Sequence, residues 1–164
     1  MKFSFLLLSC FVSSVALAGP TVGDSATYTI TSVDSGTTTV MTMMDQISTI
    51  NNDAQTIDIL QSVSQNGKMV DSQTNTSPFS DVLYPSDADI NNCQSQNQDG
   101  QTAKIETITV AAGTFKTCHV SATPDSIGTI NDIWLGAVPF GFVKTLSVTQ
   151  GQAVTLELNS FVRH

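Results

Sequence analysis

The sequence predicts a mainly β domain of eight or nine antiparallel strands with little helix. Three observations lead there. After residue 18 the chain is rich in Thr, Ser, Asn and Gln, and runs of the strong helix formers Ala, Glu and Lys are missing. Apolar and polar residues alternate with period two, as on a strand with one buried face. Turn residues interrupt that alternation at intervals of roughly 8–15 residues, the rhythm of an antiparallel meander.

Ser25–Val33 places Tyr28 and Ile30 on one face and Thr residues on the other, and Asp34-Ser35-Gly36 supplies a turn. Thr37–Thr49 sets Met41, Met43 and Ile47 on a common face and stops at Asn51-Asn52-Asp53. Thr56–Ser64 carries Ile57 and Ile59. Asn66-Gly67 then gives the strongest hairpin signal in the chain, with Lys68–Thr76 returning as the partner strand. From Ser77 to Gln101 the alternation fails. Pro78 and Pro85 interrupt it and a polar tract follows, leaving one long loop or a short helix over Ser86–Asn92 capped by Ser86. A loop of that length calls for a tether or a function. Strands resume at Lys104–Val110 and Thr114–Ala122, joined by Ala111-Ala112-Gly113, and continue with Thr129–Leu135. Within the second of these, Cys118 and Val120 share one face, and Phe115 and His119 the other. Phe140–Thr149 and Gln152–Val162 form a closing hairpin about Gln150-Gly151, with Val154, Leu156 and Leu158 inward and Thr155, Glu157 and Asn159 outward. No repeat or linker divides residues 19–164, so one antiparallel β domain is expected there.

Residues 1–18 have the order of a secretory signal peptide: Lys2, an apolar or small run from Phe3 to Leu17, and a small-x-small cleavage site at Ala16-Leu17-Ala18. The apolar run is too short to span a bilayer. An uncleaved anchor and lipid attachment at Cys10 are the competing readings, the latter leaving only Phe3–Leu8 as an apolar core. Cleavage near Ala18 makes the protein an exported one, periplasmic or extracellular. The net charge is −8, and it becomes one unit more negative when Lys2 leaves. Such a chain repels phosphate backbones and anionic headgroups, so no nucleic-acid partner is expected. No later stretch has the length of a transmembrane helix, so no membrane span is expected either. Cys93 and Cys118 remain as an even pair in an oxidising compartment and are expected to form a disulfide. Free buried thiols or a metal pair are the alternatives, although 24 intervening residues match no zinc spacing. The bridge would tether the long loop.

The stretch Lys104–Thr145 holds most of the architectural information. Residues 106–120, ETITVAAGTFKTCHV, are a strand, a small-Gly-Thr-Phe turn and a second strand. Ile133-Trp134 and Val138-Pro139-Phe140-Gly141-Phe142-Val143-Lys144 follow as a Trp-bearing strand and a V-P-x-G-x-V-K turn. Together these elements resemble a group of exported bacterial proteins of the half-barrel class, which includes periplasmic carriers of the lipoprotein-localisation-factor type. The resemblance covers about residues 104–160. It implies a curved antiparallel sheet or half-barrel whose concave apolar face holds acyl chains, and it brings no catalytic residue or cofactor.

Residue chemistry leaves several candidates. Trp134, Leu135, Val138, Phe140 and Phe142 form the densest apolar cluster, either core or a patch for a ligand or partner. His119 could act as a general base with Asp125 or Asp132 near Ser121, but no nucleophile elbow or oxyanion hole is recognisable. Asp87, Asp89 and Asp99 offer oxygen ligands for calcium without an EF-hand spacing. Met41, Met43 and Met44 offer soft ligands for copper, with core filling the ordinary role. Asn75-Thr76-Ser77 is a glycosylation sequon, relevant only in a eukaryotic host. No cofactor is called for. The expected function is non-catalytic binding of a hydrophobic small molecule or lipidated partner on a concave sheet face. A secreted structural or protein-interaction module is the alternative, with a hydrolase using His119 third.

Overall fold

The computed structural model describes residues 19–124 and 128–164. The expected leader and Asp125 lie outside the described residues. All nine expected strands form: β1 (Ser25–Asp34), β2 (Thr37–Asn51), β3 (Thr56–Gln65), β4 (Lys68–Pro78), β5 (Gln101–Val110), β6 (Gly113–Ala122), β7 (Ile130–Leu135), β8 (Phe142–Thr149) and β9 (Gln152–Val162). They make one antiparallel sheet in the order β4-β3-β2-β1-β9-β8-β7-β6-β5. Two meanders therefore run outward from a central seam where the first strand pairs with the last, Tyr28 opposite Leu158 and Ile30 opposite Leu156.

The tight hairpins follow from turn chemistry. Ser35-Gly36, Asn66-Gly67 and Gln150-Gly151 all take positive φ at both positions. That is the pattern whose twist matches two antiparallel strands. Phe140 was expected to begin β8, but it sits in the preceding turn with φ 61°, followed by Gly141 at 74°. A left-handed aromatic residue costs about 1–3 kcal/mol; here its ring is buried in the core, which offsets that cost. Gly141 is required, because a Cβ there would lie 3.1 Å from the Pro85 ring.

The long 77–101 stretch is partly ordered into short helical pieces. They are a 3₁₀ turn at Phe79–Asp81, the helix α1 (Asp87–Asn91) and a second 3₁₀ turn at Cys93–Gln96. Ser86 caps α1 as expected: its Oγ accepts from the Asp89 amide at 3.1 Å, and Asp89 Oδ2 accepts from the Ser86 amide at 2.8 Å. The expected disulfide between Cys93 and Cys118 is formed, with the Cα atoms 5.3 Å apart, and it fastens this insertion to β6.

Two apolar clusters lie on one face of the sheet, its inner face. The larger joins Tyr28, Ile47, Ile57, Val138, Phe140, Val143 and Leu158, with Phe79, Val82 and Tyr84 packed over them. The smaller joins Ile90 and Cys93 to Ala103, Cys118, Val120 and Leu135. The sheet curls around this interior. The tip of the β5–β6 hairpin reaches β9, where the Ala112 amide donates to the Leu158 carbonyl at 3.3 Å and Phe115 meets Phe161 at 6.1 Å. It stops short of closure, leaving β4 and β5 as edges. Buried Asp24 pins the chain ends together: Oδ1 accepts from the His164 amide, and Oδ2 from the Thr21 amide and the Tyr84 hydroxyl.

Candidate functional site

Strand register builds an apolar row across the inner face: Ala103, Val120, Ile133, Thr145, Leu156, Ile30 and Met41 are successive cross-strand neighbours. Ala103 and Val120 are closed off beneath the disulfide-bonded insertion. From Ile133 to Met41 the row is only half-buried, and Ile30 and Met41 belong to neither apolar cluster. Four strand spacings make this open part roughly 19 Å long. It is a shallow trough, apolar except for Thr145.

The floor changes character one and two rows further in. Leu158, Tyr28, Met43 and Val63 form the next row, and Ala26, Asp45, Gln61 and Gln73 the one beyond. Gln61 Nε2 donates to Asp45 Oδ1 at 2.9 Å and lies 3.4 Å from Met43 Sδ, while Gln73 Nε2 donates to Gln61 Oε1 at 3.0 Å. Burial holds the Asp45 carboxyl above its ordinary range, against the opposing pull of the Gln61 amide. Tyr28 is 1% exposed, and its hydroxyl has no hydrogen-bond partner among the described residues. Burial, with Asp45 and Tyr84 nearby, pushes its phenol well above the usual value. Sequence reading missed this polar group. Its signal was present, since Asp45 interrupts an inward stripe of Met41, Met43 and Ile47.

The five residues of the expected apolar patch are not brought together on one surface. Leu135, Val138 and Phe140 are buried, and Phe142 packs between the two clusters. Trp134 points the other way. On the outer face its ring stacks on His119 with centroids 4.2 Å apart, Lys144 Nζ lies 5.7 Å from the ring, and its indole N–H donates to Glu106.

His119 is enclosed by the same outer-face row. Nε2 donates to Asp132 Oδ1 at 2.8 Å, since a carboxylate only accepts. Nδ1 is buried 3.2 Å from Glu106 Oε1 without the alignment of a hydrogen bond. Partial burial raises the Glu106 carboxyl, but the Trp134 and Lys104 donors and the nearby imidazole outweigh it and hold the group below its usual range. Both ring nitrogens thus face carboxylates and one ring face is covered by indole. Neither nitrogen is left for the hydroxyl of Ser121, and Asp125 lies outside the described residues.

The two metal readings gain no support from the geometry. Asp89 is used as the reciprocal cap of α1, and among the described residues no group of three or more His, Cys, Asp or Glu could hold a metal ion. Met43 receives the Gln61 amide, and Met44 falls on the opposite face of β2 from Met41 and Met43. No described helix is long and apolar enough to cross a membrane.

No family model and no curated protein matches the chain. Solved structures do. A Bacteroides fragilis protein, provisionally described as exported and as having a YmcC-like fold, superposes with a TM-score of 0.55 at 11% identity, covering 88% of this chain and 98% of that one. The similarity is one of fold. A Parabacteroides distasonis protein provisionally described as a lipoprotein gives a TM-score of 0.47 at 15% identity, covering 88% of this chain and 97% of that one. The likeness to an exported bacterial protein meets, at the level of the fold, the resemblance carried by residues 104–160.

Proposed function

We propose that the chain is exported after cleavage near Ala18 and that residues 19–164 act without catalysis, as a carrier holding a hydrophobic ligand or lipidated partner on the inner sheet face. The half-buried row Ile133, Thr145, Leu156, Ile30 and Met41 supports this reading. An apolar row left open beside a closed core is where a ligand gains most from leaving water. The test is displacement of a fluorescent naphthylamine probe by single-chain amphiphiles. Saturable displacement is expected, abolished in an Ile30→Asp, Met41→Asp variant that keeps its β circular dichroism. If no amphiphile displaces the probe, the carrier reading fails.

One observation favours the interaction-module alternative. The β4 edge is exposed almost throughout, with Met69 at 70% and Val70 at 56%. Edges of this kind accept a partner strand. Retention of carrier activity in a Val70→Pro variant, with unchanged mass in solution, would separate the two readings.

A further inference from the structure

A trough that held only acyl chains would need an apolar floor. This one ends on groups with unfilled hydrogen-bonding capacity. Tyr28 and Asp45 lie on the same face of neighbouring strands, one register step apart. The Tyr28 hydroxyl is buried and without a partner, an arrangement that costs about 1–3 kcal/mol unless something fills it. Asp45 accepts from Gln61 through Oδ1, and no described residue donates to its other oxygen. A phenol offers a proton and a carboxylate accepts one, so the complementary ligand group accepts and donates at once. A carboxylate head brought to the same place would meet Asp45 as a like charge with little water to screen it.

We propose that the trough selects single-chain amphiphiles with a neutral amide or hydroxyl head group over carboxylates, with Tyr28 and Asp45 as the head-group contacts and Gln61 positioning Asp45. The inference rests on the carrier reading and names its ligand class. The chain lies along Ile30, Met41 and Leu156, and the head reaches Asp45 and the buried Tyr28 hydroxyl past Met43 as Phe79, Val82 and Tyr84, which pack over the core, shift aside.

The experiment compares monododecanoylglycerol with dodecanoate, equal in chain length, at neutral pH and below micelle formation. The wild type is expected to bind the glyceride at least about tenfold more tightly than the fatty acid. Asp45→Asn should bring the two within about threefold by strengthening dodecanoate, because it removes the local charge while the overall acidity of the protein stays nearly constant. Tyr28→Phe, which removes an unpaired hydroxyl and so should leave the urea midpoint no lower, should weaken the glyceride by about three- to tenfold. Equal affinity of the wild type for both heads, or a ratio unmoved by Asp45→Asn, overturns the selectivity and leaves the carrier reading standing. Unchanged glyceride binding in Tyr28→Phe overturns the role of that hydroxyl and assigns it to a buried water. If neither amphiphile binds, the carrier reading fails and the selectivity goes with it.

Discussion

In the wing made of β5 to β8, α1, the following 3₁₀ turn and the disulfide cover the inner face of β5 and β6, and the edge is guarded. Asn97 Oδ1 accepts from the Ala103 amide at 2.7 Å and Asn97 Nδ2 donates back to the Ala103 carbonyl at 3.3 Å, so a side chain stands where a tenth strand would pair. In the wing made of β1 to β4, Phe79, Val82 and Tyr84 pack over the end of the inner face that holds Tyr28, Ile47 and Ile57, but the β4 edge is left exposed. Its far inner face is half-exposed, and β4 shows solvent on nearly every residue. Both wings are antiparallel meanders rich in Thr and Ser. What separates them is how the 77–101 insertion is spread: its disulfide-bonded half closes over β5 and β6, while its 79–84 part covers only one end of the β1–β3 face. Both wings hold buried core, and the accessible surface lies on the β4 edge and the far inner face of the second wing.

That comparison breaks most sharply on a pair of core substitutions. Leu135→Ala, in the closed wing, should cost about 2–5 kcal/mol in urea unfolding. Met41→Ala, in the open wing, should cost under about 1 kcal/mol. Equal losses would mean that the open wing is packed as tightly as the closed one. Removing the disulfide with Cys93→Ser and Cys118→Ser should lower stability by about 3 kcal/mol. The loss should fall first on hydrogen-exchange protection of β5 and β6 and spare β2 and β3. Asn97→Ala should cost about 1–2 kcal/mol and expose the Ala103 amide to exchange.

The smallest effect is in pH, and the wings carry opposite signs. The Asp45 carboxyl is raised on folding, so it favours the folded state below the ordinary carboxylate value, and that contribution is lost as pH rises through the folded value. Asp45→Asn should therefore stabilise the protein at pH 7, with the advantage gone below about pH 4. Glu106 is lowered on folding, so its contribution is present above its ordinary value and is lost as pH falls through the folded one. Glu106→Gln should accordingly destabilise at pH 7 and converge on the wild type in acid. Both are read from urea midpoints across pH 3–8.

Strand positions were legible because alternation and turn residues are local signals, and Asn66-Gly67 or the Val154-to-Leu158 stripe needs no distant contact to be read. The disulfide was legible because only two cysteines, Cys93 and Cys118, follow residue 18. The apolar cluster at 134–142 was legible as a cluster but not as a location. Adjacent residues on a strand point to opposite faces, so Trp134 and Leu135 part company as soon as β7 forms. The trough was not legible at all. Its five residues come from five strands, and only the register of four separate pairings places them in a row. The coverage that closes one end depends on where α1 folds back, which no local pattern encodes.

The seam between β1 and β9 has a consequence in time. A chain emerging N-terminus first can complete the β1–β4 meander early, yet β1 must wait for the last strand before its second edge is filled. Asp24 likewise waits for the backbone of His164. Contacts this distant in sequence are slow to form. The trough, which straddles the seam through Leu156 and Ile30, is therefore assembled only at the end, so no ligand can be held there by a partly folded chain.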